Sequence, residues 1–282
     1  MLAGFYSPPD AMLAKIRNLL GRAPSARPPE LPAGQRVYAI GDIHGRLDLF
    51  ERLIEAIERD DSQRAFAQPG NSRGLVILLG DLIDRGPDSA GVLARARELA
   101  RQREVEFIQG NHEEMLLVSR EKLDAFRSFL KFGGRETILS YGMDPDFVRE
   151  AELEDLHGAA MEAIPQQDFD FIDGFQKMIR LGDYIFVHAG VRPGTPLENQ
   201  LGHDCRWIRE PFLSHSGEFG GFVVHGHTIT EEPDVRGNRI GIDTGAYMHG
   251  RLTAIALEGS ERWFIQACES DDGITVQVAD EE

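Results

Sequence analysis

A length of 282 residues, 41% hydrophobic content and a formal charge of −17 describe a globular chain large enough for a single big α/β domain. The charge opposes binding to nucleic acid or an anionic membrane, which need a basic face to displace counterions, so a phosphate-bearing ligand would require positive charge concentrated in its site. Cys205 and Cys268 make no disulfide framework, no run approaches the roughly 18 apolar residues of a membrane span, and the chain is expected to be soluble and cytoplasmic; the sequence leaves its oligomeric state open.

Residues 1–35 read as a short amphipathic helix, Ala11 to Leu20, and a Pro-rich linker through Pro24, Pro28, Pro29 and Pro32; the helix is expected to pack on the domain or fray rather than dock a partner. Residues 36–282 read as one catalytic domain. It opens with the strand Arg36 to Ile40, which runs into Gly41-Asp42-Ile43-His44-Gly45. Leu47, Phe50, Leu53, Ile54 and Ile57 then recur at helical spacing up to Arg59, and Asp60 to Arg73, with Pro69-Gly70-Asn71, reads as a surface connection. A second strand, Leu75 to Leu79, delivers Gly80-Asp81-Leu82-Ile83-Asp84-Arg85-Gly86, and Pro87 and Asp88 suit the first turn of the next helix. A third, Val105 to Ile108, ends in Gln109-Gly110-Asn111-His112-Glu113, again before a helix. Three successive strands that end in Gly-Asp, Gly-Asp and Gly-Asn should place these polar residues on one rim, since ligands of open α/β sheets bind at the carboxyl ends of parallel strands.

A helical insert is expected at about 121–180, its acidic stretch Glu150 to Asp155 a solvated face and its Gly133-Gly134-Arg135 close to the site. Strands resume at Tyr184 to Val187, followed by His188, and at Phe222 to Val224, followed by His225-Gly226-His227-Thr228. A histidine directly after a buried strand is, alone, more often a hydrogen-bonded core residue than a ligand. Here it repeats the pattern of the earlier strand ends, which reverses that preference. The closing strands, Arg239 to Ile242, Leu252 to Leu257, Trp263 to Ala267 and Ile274 to Val278, are expected to form a second sheet against the first.

Aspartate, asparagine and histidine suit Mn, Fe or Zn. Two ions explain the inventory better than one: Asp42, His44 and Asp81 for the first, and Asp81, Asn111, His188 and His227 for the second, with Asp81 bridging. Such a pair lowers the pKa of a shared water and clamps a phosphoryl group for in-line attack, so no protein nucleophile is required. His112, oriented by Asp84, is the best general acid for the leaving oxygen. Arg85 offers a planar fork of donors for phosphate, as can Arg209; a salt bridge is an equal reading for Arg209 and the better one for Arg192.

These motifs resemble the phosphoprotein phosphatases of the calcineurin-like metallophosphoesterase superfamily. The signature Gly-Asp-x-His-Gly, Gly-Asp-x-x-Asp-Arg-Gly and Gly-Asn-His-Glu stands complete at 41–45, 80–86 and 110–113, and the resemblance runs from about Val37 to Leu257. Trp207-Ile208-Arg209, Gly226-His227-Thr228 and Ile242-Asp243-Thr244-Gly245-Ala246 look like the compact bacterial and bacteriophage lambda type. The resemblance implies an α/β fold, the calcineurin-like metallophosphoesterase β-sandwich of two mixed sheets flanked by helices. It also implies Asp42, His44, Asp81, Asn111, His188 and His227 as ligands of two divalent ions, Mn2+ expected, with His112 and Asp84 as the proton-donor pair. Arg85, Arg209 and Asn111 are then the phosphate binders. Gly226-His227-Thr228-Ile229 lacks the second histidine of the wider superfamily, as the phosphoprotein phosphatase branch does. Tyr247-Met248-His249-Gly250 departs from the Tyr-Cys-Gly of toxin-sensitive eukaryotic enzymes, so inhibition by their toxins is not expected to carry over.

The implied activity is that of a protein serine/threonine phosphatase in which metal-bound hydroxide attacks a phosphate ester of a phosphoprotein or phosphopeptide. The alternative is a symmetrical diadenosine tetraphosphate hydrolase acting on dinucleoside polyphosphates. A catalytically dead binding protein is the third reading, opposed by the intact ligand set. His225 is expected to be a core residue, and His157, His203, His215 and His249 receive no role.

Overall fold

Packing on both faces of the sheets explains why the strands read as unbroken apolar runs. The structure is a computed structural model that describes residues 27–67 and 73–280. The expected helix at Ala11 to Leu20 and the turn Pro69-Gly70-Asn71 lie outside those residues. The first sheet has the order β11-β10-β9-β1-β2-β3. Its centre is β1 (Arg36–Ile40), parallel to β2 (Leu75–Leu78), which is parallel to β3 (Val105–Phe107). On the other side β9 (Arg251–Glu258), β10 (Glu261–Ser270) and β11 (Gly273–Asp280) add in antiparallel fashion. The second sheet has the order β4-β5-β6-β8-β7. There β5 (Tyr184–Val187), β6 (Phe222–His225) and β8 (Arg239–Gly241) run parallel between the antiparallel edges β4 (Met178–Leu181) and β7 (Asp234–Val235).

Because side chains alternate along a strand, β1 turns Val37 and Ala39 inward and Tyr38 and Ile40 outward. The inward set packs with Ile77, Leu79, Ile255 and Leu257 against Phe186, Val224 and Ile240 of the second sheet, forming the core of the sandwich. The outward set packs against α1 (Leu47–Ala67) and α2 (Ser89–Gln102) through Phe50, Leu53, Ile57, Val92, Leu93 and Ala96. Helices α3 (Asn111–Ser119), α4 (Leu123–Phe129), α5 (Arg135–Ser140), α6 (Pro145–Glu150), α7 (Leu153–Ala163) and α8 (Gln166–Asp173) extend this outer layer. Phe126, Phe129, Ile138, Leu156 and Ile172 join the same core, and the acidic stretch at Glu150 to Asp155 is solvated as expected.

Three sequence expectations need correction. The closing strands do not make a second sheet. Only Arg239–Gly241 enters it, while β9, β10 and β11 extend the first sheet from the free side of β1, because Arg36 to Ile40 pairs with Ala254 to Glu258 as well as with β2. The segment after Arg59 is not a surface connection at its start: α1 continues to Ala67. Asp61 is anchored within that helix: its buried carboxylate accepts from Gly74 N (3.0 Å), Arg36 Nη1 (2.8 Å) and Arg103 Nη2 (3.2 Å). Within the expected helical insert the helices stop at Asp173, and Met178–Leu181 is already the edge strand β4.

Candidate active site

Every residue singled out from the strand ends lies at the carboxyl end of a parallel strand, on the rim that both sheets share. Asp42 and His44 follow β1, Asp81 to Arg85 follow β2, Asn111 and His112 open α3 after β3, and His188 and His227 follow β5 and β6. Gly110 lets the β3 turn lie against the Asp81 backbone and carboxylate, where a Cβ would overlap both; at Gly226 a Cβ would overlap the Asp42 carboxylate. Five non-glycine residues have positive φ among the described residues: His44 (47°), Asp81 (51°), Asp84 (72°), Arg85 (71°) and His227 (63°). All five are among the candidate site residues named from the sequence. This backbone region is costly for side chains with a Cβ, about 1–3 kcal/mol each where the surroundings enforce it, and it concentrates at functional sites.

The loop is enforced by Glu113, a residue sequence reading left without a role although it closes the Gly-Asn-His-Glu motif. Its fully buried carboxylate accepts from Asp81 N (2.9 Å), Leu82 N (2.8 Å) and Gly110 N (3.0 Å), joining the second and third strand ends. Burial, with the Asp81 charge beside it, pushes Glu113 up to about 7.

The ring tautomers decide what the histidines can hold. Nδ1–H of His44 donates to Ile83 O (2.8 Å) and Nδ1–H of His188 to Leu79 O (2.8 Å), which leaves both Nε2 atoms as lone pairs. Burial lowers both rings' pKa, His44 to about 3, so they are neutral. These lone pairs face the two oxygens of Asp81: His44 Nε2 is 3.6 Å from Oδ2, and His188 Nε2 is 3.4 Å from Oδ1 and 3.0 Å from Asn111 Oδ1. Around His188 acceptors are aimed at acceptors, which repel unless a cation lies between them; His44 Nε2 also has the Arg85 Nη1 donor at 3.1 Å. His227 Nε2 is buried without a partner among the described residues. The donor set therefore fits divalent ions, with Asp81 presenting one oxygen to each side.

Among the described residues two groups of ligand atoms lie close enough for an ion, His44-Asp81-His112 and Asp81-His188-His227. The first differs from the expected Asp42-His44-Asp81. Asp42 is buried beside them, its two oxygens both 3.1 Å from His227 N. Its carboxyl is raised by burial, and by the nearby Asp243 and Asp81 charges. His112 is a poor ligand despite its position. Its Nδ1 is 2.6 Å from Asp84 Oδ2, and although burial opposes its charge, the Asp81 and Asp84 carboxylates outweigh that and raise its pKa above the ordinary histidine value. Asp84 is fixed in turn: Thr137 Oγ1 donates to its Oδ1 (2.6 Å), and its N–H donates to Ser89 and Thr137 (both 2.9 Å). Thr137 stands in the helical insert, 53 residues from Asp84, with no motif to mark it.

Arg85 places Nη1 3.1 Å from His44 Nε2 and stacks on Tyr247, 4.7 Å from the ring centroid. Together with Asp81, Arg209, His227, Thr228, Ile229 and Tyr247 it lines a groove of about 330 Å3. Gly133 does approach the site, accepting from Arg85 N (3.0 Å), whereas Arg135 turns away to Val148 O (2.6 Å). Arg192 forms the salt bridge expected of it, with Asp204 (2.7 and 2.8 Å). His225 is a buried core residue against Phe212, its pKa lowered to about 4 by burial.

A two-sheet sandwich with histidine and carboxylate clusters on one rim is the architecture of a metallophosphoesterase. The calcineurin-like phosphoesterase family matches residues 35–251, and the chain belongs to that family. Serine/threonine-protein phosphatase 1 of Salmonella typhimurium is 29% identical over 231 residues, 79% of this chain and 93% of the relative. An asymmetrical bis(5'-nucleosyl)-tetraphosphatase, PrpE of Oceanobacillus iheyensis, is 25% identical over 244 residues, 80% of this chain and 90% of the relative. Among solved structures, a cold-active protein tyrosine phosphatase superposes with a TM-score of 0.54 at 18% identity, over 88% of this chain and 81% of that one, a likeness of fold. These relatives agree with the phosphoprotein phosphatase resemblance of the motifs, and the protein is a hydrolase of phosphate esters. Among the described residues no helix is long and apolar enough to cross a membrane.

Proposed function

We propose that the chain is a protein serine/threonine phosphatase that uses two divalent ions, Mn2+ in preference to Fe or Zn. Asp42, His44 and Asp81 would hold one ion, and Asp81, Asn111, His188 and His227 the other. Bound there, the ions supply Lewis-acid charge to the phosphoryl oxygens and lower the pKa of water. Arg85 and Arg209 bind the phosphate oxygens, Arg85 pre-oriented by its stack on Tyr247. Asn111, with its amide at the same edge, completes the phosphate pocket. His112 Nε2 gives its proton to the leaving oxygen, and Asp84 keeps the ring charged and aimed through Nδ1. The observation that carries this reading is the His112–Asp84 contact of 2.6 Å beside the two clusters that share Asp81. A binding protein without chemistry has no use for a protonated histidine held on a buried carboxylate.

Similarity to the tetraphosphatase keeps a second reading open, in which the ester is a dinucleoside polyphosphate. That relative is named asymmetrical, so expected symmetrical cleavage draws no support from it. The deciding experiment compares kcat/KM of Mn-loaded protein on a phosphoserine/phosphothreonine peptide panel and on diadenosine tetraphosphate. Preference for peptides supports the proposal. Preference for the dinucleotide overturns it, and the products (ATP with AMP, or two ADP) then tell asymmetrical from symmetrical cleavage.

A further inference from the structure

Arg46 stands two residues beyond His44 and is buried, where a guanidinium is costly unless its charge is matched. Asp48 matches it in a fork: Nε donates to Oδ1 (2.9 Å) and Nη2 to Oδ2 (2.8 Å), and Nη2 also donates to Glu269 Oε2 of β10 (2.7 Å). Two parallel bonds to one carboxylate fix the plane of the guanidinium as well as its charge. Both carboxylates are half-exposed, so they hold Arg46 from the solvent side. The remaining edge reaches inward, where Nη1 donates to Ala246 O (2.9 Å), 200 residues along the chain. Ala246 opens a helical turn of four residues, Ala246–His249, too short to hold its shape unaided. Glycines of positive φ bound it, Gly245 at 72° and Gly250 at 63°, and of its four side chains Ala246 alone is buried, while Met248 and His249 are exposed. The carbonyl gripped by Arg46 is the one directly before Tyr247. The Tyr247 ring lies edge-on to His44, with centroids 5.2 Å apart, and carries the Arg85 guanidinium 4.7 Å from its centroid. Among the described residues no carboxylate forms an ion pair with Arg85, so the ring and the His44 contact are what aim its head group.

We infer that Arg46 is a positioning residue for phosphate binding: by holding Ala246 O it keeps Tyr247 against Arg85, and so keeps the Arg85 fork turned to the phosphoryl oxygens. This rests on the phosphatase reading above. Among the described residues Arg46 makes no hydrogen bond to His112, Asp84 or an expected metal ligand, so its duty lies in holding the substrate and not in proton transfer. The guanidinium–ring contact that depends on it is worth about three- to tenfold in affinity.

The test uses Mn-loaded protein, titrated calorimetrically with inorganic phosphate and assayed on p-nitrophenyl phosphate, with bound metal measured in the same samples. Wild type, Arg46→Met, Tyr247→Leu and the double variant are compared; methionine keeps the apolar stem and removes every donor. Expected for Arg46→Met is about three- to tenfold weaker phosphate binding with KM raised by the same factor, kcat within about twofold of wild type, and full metal content. In the Tyr247→Leu background the same substitution should add nothing, because the ring through which it acts is gone. Effects that multiply in the double variant overturn the inference, as do unchanged phosphate affinity, a fall in kcat without a rise in KM, or loss of metal, which would route the effect through His44. Should Arg46→Met not fold, Asp48→Asn frees the fork at a half-exposed carboxylate and carries the test with the same split expected; unchanged phosphate affinity there overturns the inference. If the wild type itself binds no phosphate and hydrolyses no ester, the phosphatase reading fails together with the inference; binding by the wild type with no effect of the Arg46 variant sinks the inference alone.

Discussion

Thr137→Val removes the link between the helical layer and the proton-donating pair, and the structure gives its magnitude. Asp84 is fully buried, with Oδ2 committed to His112, so Oδ1 depends on the Thr137 hydroxyl at 2.6 Å and has no other partner among the described residues. The Asp84 N–H keeps Ser89 Oγ at 2.9 Å, so the backbone donor is not stranded. What is lost is one bond to a charged group, with a carboxylate oxygen left dry in the interior, about 2–3 kcal/mol. Set against a total stability of about 5–15 kcal/mol, this should lower the urea midpoint of unfolding visibly without preventing folding. Function should suffer separately. A carboxylate free to rotate holds the imidazolium less well, and if half of the lost energy reaches the proton-transfer step, kcat on alkyl phosphates falls about tenfold. Thr137→Ser, which keeps the hydroxyl, should restore both. Denaturant titration and steady-state kinetics on paired alkyl and aryl phosphates make the measurement. An unchanged midpoint with full kcat in Thr137→Val would refute the chain of support from Thr137 through Asp84 to His112.

Three further outcomes are expected. His112→Asn should depress turnover far more for alkyl than for aryl phosphates, whose phenolate (pKa about 10) leaves with less help; equal losses on both would remove His112 as the acid. Asp81→Asn should reduce the content of both metals together with all turnover, and two metals retained at a normal rate would remove the bridge. Cys205, fully buried with its thiol pushed up to about 11 by burial, should resist iodoacetamide at pH 8 until the protein is unfolded, while partly exposed Cys268 reacts first; rapid modification of both thiols in the native protein would contradict the packing around Cys205.

The rim of the site was legible because its residues follow strands directly: an apolar run that stops at Gly-Asp or Gly-Asn states both the strand and the polar end. Partners of those residues were less legible. Glu113 stood inside a motif, yet nothing local says that its carboxylate serves three backbone donors on two strand ends. Thr137 was invisible because its contact spans sequence separation that only the packing of α5 closes. The fold shows the same division. Alternation identified β9 to β11 as strands but not which neighbour they choose, and that depends on which side of β1 remains free. Asp60 to Arg73 read as a connection because polar composition outweighed helix continuity; the buried salt bridges of Asp61 with Arg36 and Arg103 reverse that at its start.

The five left-handed residues of the site have a consequence for how this protein responds to selection. Arg85, at φ 71°, has neither glycine's freedom nor the short polar side chain that lets asparagine or aspartate tolerate the region. A library chosen for heat resistance alone, with no demand for hydrolysis, should accumulate glycine or asparagine at Arg85 and His44. The same library screened for ester cleavage should hold both against that drift. Thermal robustness and turnover are thus set in opposition at a few named backbone positions, and a stabilised variant of this enzyme is best sought in the outer helices, leaving the loop that follows β2 untouched.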